Sequence, residues 1–308
     1  MRFRPSSRQL EYLVALAELR HFGRAARRCS VSQPTLSVQL QQMEDRLGTR
    51  LIERTPGAVA LTPAGEKAVA LARQALAALD EMAAIASGGE AALGGRLRLG
   101  AAPTFGPYFL PHLLPVLHAR YPALEIFIRE ERPHLLEEAI VDGEIDCAIG
   151  PEPRRGDRFT FSRLMDEDLF LGLPASHPLA KEASVPVAAL VAERMMTLGR
   201  GHRLNESVRA LAGQAGTPLR EDYEGTSLDA LRQMVSIGMG VTLFPALYAA
   251  SEFARHDDVV LRRLAGRRLT RTVGLFWRRG TLRQHHFDTL AALSADVAAG
   301  LELPGGKP

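Results

Sequence analysis

The stretch Ser32-Gln33-Pro34-Thr35-Leu36-Ser37-Val38-Gln39-Leu40-Gln41-Gln42-Met43-Glu44-Asp45-Arg46-Leu47-Gly48 decides how the N-terminal part of this chain is read. Ser32 is a good N-cap, and Pro34 falls in the first turn, where its missing N–H costs nothing. Leu36, Leu40, Met43 and Leu47 recur at helical spacing, so they face inward, and Gly48 ends the helix. Gln33, Thr35, Ser37, Val38, Gln39 and Gln42 remain on the other side, a face that is polar yet uncharged until Glu44. Amides and hydroxyls near a helix N-terminus suit base edges, because Gln pairs bidentately with adenine and the terminal N–H groups favour phosphate.

Upstream, Leu10, Leu13, Val14, Leu16, Ala17 and Leu19 outline a first helix that Ser6 or Ser7 can cap. After His21-Phe22-Gly23, the residues Phe22, Ala25, Ala26 and Cys29 form a second short stripe, and Ser30-Val31-Ser32 is a tight turn. Two short helices joined by such a turn describe a helix-turn-helix. Downstream, Leu51 to Arg54 and Val59 to Leu61 alternate like two strands around Pro56-Gly57, a wing whose Arg50 and Arg54 can lie along phosphates. On these residues alone, a three-helix interaction module with a polar solvent face stays open.

Charge separates this head from the rest. Residues 1 to 62 hold ten arginines against five acids, while the remaining residues carry 28 basic and 30 acidic side chains, so the formal +3 hides a basic head on a near-neutral body. A compact basic unit is the electrostatic footprint of nucleic-acid binding. At 308 residues with 46% hydrophobic and 24% charged residues, two or three packed units are expected, and a disordered, collagenous or coiled-coil chain is excluded. The uncharged run Gln233 to Ser251 is broken by Gly238, Gly240 and Pro245, which predicts three short buried elements and no membrane span. Met1-Arg2-Phe3-Arg4-Pro5 opens no apolar export segment, and Cys29 and Cys147 are the only cysteines, so a cytoplasmic location without disulfide framework or metal site is expected.

Leu10-Glu11-Tyr12-Leu13, Phe22-Gly23-Arg24-Ala25-Ala26, Ser32 to Ser37, Met43 to Gly48, Leu51 to Arg54 and Leu61-Thr62-Pro63-Ala64-Gly65, in that order, closely resemble the N-terminal domain of LysR-type transcriptional regulators. The resemblance implies a winged helix-turn-helix over 1–62, with Gln33, Pro34, Thr35, Ser37 and Gln39 in or beside the major groove and Arg50 and Arg54 near phosphates. It further implies that the alanine-rich amphipathic helix within 63–95, followed by a glycine-rich hinge, pairs with a second copy, giving a homodimer or homotetramer on double-stranded promoter DNA, with RNA polymerase as a further partner.

From Arg96 short strands alternate with helices, the signature of an α/β domain with a largely parallel sheet. Strands are expected at 96–100, 124–129, 145–149, 169–173, 195–198, 219–224, 241–244 and 271–277, and helices at 106–119, 133–142, 206–215, 227–237 and 282–299. This resembles the two-lobed, periplasmic-binding-protein-like effector domain of the LysR family, with lobe I at 96–164 and 271–300, lobe II at 165–270, crossovers near 164–168 and 265–270, and a flexible tail at 301–308. Ligands in such bodies lie between the lobes, at strand ends and helix N-termini. Thr104, Thr226 and Ser227 are candidates to meet a small anionic effector there, or else plain N-caps, and His202 and Arg203, in a loop before helix 206–215, could reach the same cleft.

Ala102 to Pro111, Gly201 to Leu204 and Thr226 to Val235 resemble the peroxide-sensing OxyR branch of that family. Where that branch has the two cysteines that pair on oxidation, this chain has Arg203 and Ala212, a pocket hydroxyl of the branch appears as Pro133, and Cys147 matches a cysteine outside the pair. Without two thiolates a disulfide switch has no chemistry to run. The leading expectation is therefore a DNA-binding regulator controlled by a reversibly bound small molecule, with no cofactor. A constitutive repressor and a solute-binding protein are the alternatives. An enzyme is disfavoured, since no Gly-rich phosphate loop, metal-ligand cluster or Gly-x-Ser-x-Gly elbow is present.

Overall fold

The computed structural model describes residues 3–55, 58–86, 93, 95–220, 225, 227–253, 257–281 and 283–304; the side chains of Arg54, Thr55, Ala58, Asp80, Glu81 and 83–86 lie outside that description. Contacts divide the chain into two units, Met1–Ala91 with Glu138–Glu144, and Ala92–Glu137 with Ile145–Pro308.

The first unit opens with α1 (Ser7–Leu19), α2 (Phe22–Arg28) and α3 (Gln33–Leu47). Ser6 caps α1 reciprocally: its Oγ accepts from Gln9 N–H at 3.3 Å, and its own N–H donates to Gln9 Oε1 at 3.1 Å. Tyr12, Leu13, Leu16, Ala25, Ala26, Leu36, Leu40 and Met43 close one core, and the paired alanines of α2 let the helices approach. A hairpin of β1 (Ile52–Thr55) and β2 (Ala58–Leu61) follows, then α4 (Pro63–Ala86). Leu61-Thr62-Pro63-Ala64-Gly65 is a backbone junction. Thr62 Oγ donates to Arg50 O at 2.8 Å and accepts from Gly65 N–H at 3.0 Å, and a Cβ on Gly65 would lie 2.0 Å from Leu51 O. Only glycine admits that approach. Val69 and Ala72 of α4 pack into the same core, whereas Leu71, Leu79 and Met82 share another face and are exposed.

The second unit is built on β3 (Arg96–Ala101), α5 (Gly106–Arg120), β4 (Glu125–Glu130), the start of α6 (Pro133–Val141) up to Glu137, β5 (Cys147–Pro151), β6 (Phe159–Pro174), β7 (Ser184–Val185), α7 (Arg203–Ala215), α8 (Leu228–Ser236), β8 (Thr242–Pro245), α9 (Ala246–Glu252), β9 (Val259–Leu264), β10 (Thr270–Arg278) and α10 (Gln284–Ala299). Two α/β lobes share the 16-residue strand β6. Its first part pairs antiparallel with β10, which joins β5, β3 and β4; its second part pairs with β8 and β9. Trp277, Phe109 and Phe287 anchor the core of one lobe, and Leu171, Leu243, Phe244 and Tyr248 that of the other.

Several expectations change here. The sheet is mixed: β3 runs parallel to β4 and β5, but the returning chain enters as β10 antiparallel to both its neighbours. The crossover near 164–168 is no loop, being the middle of β6. Residues 195–198 and 219 form only single bridges, Met195 to Leu219 and Val241 and Leu198 to Gly225, while 221–224 lie outside the described residues. The helix expected at 206–215 starts at Arg203, one residue after His202. Strand β9 carries Arg262 and Arg263 in its middle, which hid its apolar pattern. Gln233 to Ser251 resolves into the end of α8, β8 and α9, and no helix among the described residues is long and apolar enough to cross a membrane.

Candidate nucleic-acid interface and ligand cavity

At the start of α3, Ser32 Oγ accepts from Thr35 N–H at 3.2 Å and lies 2.7 Å from Thr35 Oγ, so the cap and the first helical hydroxyl form one rigid corner. Gln33, Pro34 and Thr35 are exposed, and Ser37 is half-buried. Gln39 is turned toward α1, its amide oxygen accepting from Gln9 Nε2 at 3.3 Å. Val38, which the polar reading of this face passes over, is 52% exposed and offers an apolar contact of the kind a thymine methyl takes. Leu47, expected inward, is exposed at the helix end.

Glu44, expected on the outer face, is instead 3% exposed. Its Oε1 accepts the Leu51 and Ile52 N–H groups at 2.6 and 2.9 Å, which ties the β1–β2 hairpin to α3. Its position one step past Met43 was the available signal, since a stripe at 36, 40, 43 and 44 is the wider apolar face of a packed helix. Arg50 is exposed beside that anchor. Arg54 stands in β1 opposite Val59, and its side chain lies outside the described residues.

In the second unit a cavity of about 450 Å³ is lined by residues of both lobes, among them Pro133, His134, Arg154, His202, Arg203 and Glu206. His202 is the N-cap residue of α7 without a side-chain cap bond; it is 2% exposed, and its Nε2 has no hydrogen-bond partner. Burial holds this imidazole below its ordinary pKa, helped by Arg132 and His134 and opposed by Glu131. Gly201, at φ +94°, lets the chain pass His134, whose ring would stand 2.9 Å from a Cβ there. Arg203 opens α7: Nη1 donates to Glu206 Oε2 at 3.1 Å and Nη2 to Glu152 O at 2.7 Å. Arg154 donates to the other Glu206 oxygen, and its N–H to Glu137 Oε1 at 3.0 Å.

The five residues expected to converge on a ligand do not all meet. His202 and Arg203 line the cavity; Thr104 and Ser227 are not among its lining residues, and Thr226 lies outside the described residues. Thr104 is buried, with its hydroxyl and carbonyl each accepting from Arg271 at 2.7 Å. Arg271 Nε donates to Glu167 Oε2 at 2.7 Å, and Glu167 Oε1 accepts from Leu247 N–H at 2.8 Å. Ser227 caps α8, accepting from Asp229 and Ala230 N–H at 3.2 and 3.5 Å. Among the described residues, no group of three His, Cys, Asp or Glu side chains could hold a metal. Cys147 is fully buried and its thiol is pushed well up by desolvation, while burial also raises the half-buried Cys29. Ala212 is buried on α7.

Comparison with known proteins matches residues 7–66 to the bacterial regulatory helix-turn-helix protein, LysR family, and residues 90–299 to the LysR substrate binding domain. The DNA-binding transcriptional dual regulator OxyR of Escherichia coli is 40% identical over 284 residues, covering 92% of this chain and 93% of its own. A probable hydrogen peroxide-inducible genes activator of Streptomyces viridosporus is 34% identical, with 94% of each chain covered. Among solved structures, a full-length OxyR variant from Pseudomonas aeruginosa superposes with a TM-score of 0.80 at 33% identity, over 97% of this chain and 99% of that one. Full-length CbnR, solved with its target DNA, superposes with a TM-score of 0.64 at 25% identity, over 94% and 99%.

Proposed function

Because the chain belongs to the LysR family of DNA-binding transcriptional regulators, we propose how this member reads DNA and what it responds to. Two copies pair through the exposed Leu71, Leu79 and Met82 face of α4 and present two α3 helices to adjacent major grooves of a promoter duplex, where RNA polymerase is the downstream partner. Gln33, Thr35 and Ser37 read base edges, with Pro34 and Gln39 beside them, and Arg50 and Arg54 of the wing meet phosphates. The observation that carries this reading is the capped, uncharged and exposed start of α3 standing next to the Glu44-anchored wing.

The signal is a small anion bound reversibly at His202 and Arg203 in the cavity, and not a disulfide, since Arg203 and Ala212 stand where the resemblance to the OxyR branch places its redox pair. A second reading, a regulator without effector, is favoured by one observation: Arg203 already has protein partners. Mobility shifts with the chain's own upstream region test both. The protein should bind that duplex tightly and with a steep salt dependence, Gln33→Ala should narrow the gap to random DNA, and a small-anion panel should shift the operator affinity. Equal affinity for random duplex would sink the DNA reading. An operator affinity that no anion moves would favour the effector-free regulator.

A further inference from the structure

Arg203 already holds an anion, and that anion is Glu206. The Glu206 carboxylate lies one turn into α7 and is gripped from two sides, by Arg203 of its own helix and by Arg154 of the segment that follows β5 in the other lobe. Arg203 also reaches across to Glu152 O at 2.7 Å. These contacts form a latch between the lobes at the cavity lining. Its Arg154–Glu206 link is wet, with side chains 63% and 44% exposed, and exposed ion pairs contribute little to stability, so a better anion can displace it.

Three features make the place receptive to such a competitor. The lining carries Arg154, Arg200, Arg203 and Arg209 against Glu137 and Glu206, a surplus of two positive charges when the imidazoles are neutral. His202 contributes a buried Nε2 with no partner, which in the Nε2–H tautomer donates to an anion without adding charge. The N-terminus of the 13-residue α7, lacking a side-chain cap, points the same way. A cavity of about 450 Å³ has room for an organic body beside an oxyanion head.

We propose that Glu206 is a resident competitor for the effector, and that the effector is a small molecule with a doubly charged oxyanion head, such as a phosphomonoester. The head takes over Arg154, Arg203 and the His202 imidazole and expels Glu206, so that a link through the ligand replaces the link through the protein. This rests on the reading of the cavity as the effector site. A dianion faces a lining whose positive surplus is two with Glu206 counted and three once Glu206 is expelled, whereas a monoanion merely exchanges one carboxylate for another and has little differential affinity for the opened latch.

The test is calorimetric titration of the full-length protein with phenyl phosphate, inorganic phosphate, sulfate and acetate at constant ionic strength, paired with operator binding in each anion. Phenyl phosphate should bind most tightly and acetate least. Glu206→Gln should tighten phenyl phosphate by on the order of tenfold, and Arg154→Gln and Arg203→Gln should each weaken it by a similar factor. Unchanged or weaker binding to Glu206→Gln overturns the latch, as do equal affinities for acetate and phosphate, binding that ignores both arginine variants, or no binding at all. The operator assay separates the two ideas. Phenyl phosphate that binds as expected without moving operator affinity retains the latch and removes the effector reading, and a monoanion that moves operator affinity equally in wild type and Glu206→Gln does the reverse.

Discussion

Six arginines of the first unit and five of the second put the same side chain to opposite ends. In the first unit Arg4, Arg8, Arg20, Arg24, Arg27 and Arg50 are exposed, and none of them forms an ion pair among the described residues. In the second, Arg98 pairs with Asp146 at 2.7 Å, Arg232 with Asp258 at 2.8 Å, Arg263 and Arg268 with Asp168, and Arg271 with Glu167. An unpaired exposed guanidinium keeps its donors for an external phosphate, while a paired one has exchanged them for structure. Counting charges along the chain finds the basic head but not which of its guanidiniums are paired, because pairing is set in three dimensions.

The largest expected effect falls on the buried end of that scale. Arg271→Ala leaves Glu167, which has no exposed surface, with an uncompensated charge and frees the Thr104 hydroxyl and carbonyl. Unfolding of the second unit in denaturant should lose about 3–5 kcal/mol, and Arg271→Met with Glu167→Gln should recover part of it. A loss under about 1 kcal/mol, the size expected of a solvent-exposed ion pair, would erase the contrast between paired and unpaired arginines.

Next comes the anchor between wing and recognition helix. Glu44→Ala removes the acceptor of two buried N–H groups, those of Leu51 and Ile52, and should cost the first unit about 2–3 kcal/mol, since a bond to a charged group is worth roughly 1.5–3. Operator affinity should fall with it, because Arg50 loses its fixed seat. Circular dichroism melts beside mobility shifts check this, and full operator affinity in a destabilised variant would separate the wing from recognition.

What could be read in advance follows the distance between partners. Ser32 and Thr35 stand three positions apart and Leu36, Leu40 and Met43 repeat every turn, so the helix-turn-helix is written in local spacing. Glu44 escaped because a carboxylate beside an apolar stripe looks solvated until its two N–H donors, seven and eight residues on, are known. In the second unit Arg271 and Glu167 are 104 positions apart and Thr104 is 167 from Arg271, so no window could foresee that Thr104 belongs to a closed network. The same distance explains the mixed sheet, since β10 enters between β5 and β6 only after the other lobe is complete. His202 and Arg203 line the cavity that the loop reading aimed them at, but the start of their helix at Arg203 was not legible.

A smaller effect tests the unpaired end. Arg50→Ala should weaken all duplexes alike and lower the slope of log affinity against log salt by about 0.9 if one phosphate contact is lost. Arg98→Ala, in the paired class, should leave that slope unchanged. Identical slopes for wild type and Arg50→Ala would remove Arg50 from the phosphate contacts.

The smallest expected effect is a pH dependence confined to the second unit. Desolvation is the main cause that holds the His202 imidazole below its ordinary value of 6.5, with Arg132 and His134 acting in the same direction and Glu131 against them. The unfolded chain then takes up this proton at a higher pH than the folded one, so between the two values the unfolded state binds more protons and stability rises with pH. The contribution is fully present above about pH 6.5 and is lost as pH falls through that value toward the lower folded one. One proton limits the slope to about 1.4 kcal/mol per pH unit. Denaturation midpoints of wild type and His202→Gln from about pH 8 to about pH 5.5 isolate it: the wild-type curve should fall more steeply below about pH 6.5, and the difference between the two should flatten at the acid end. A saturating dianion should hold the wild-type curve up at low pH, since a protonated imidazole facing an oxyanion gains a partner. Superimposable curves with and without His202 would mean that this nitrogen meets water in the folded protein, and the cavity would lose it as a buried uncharged donor.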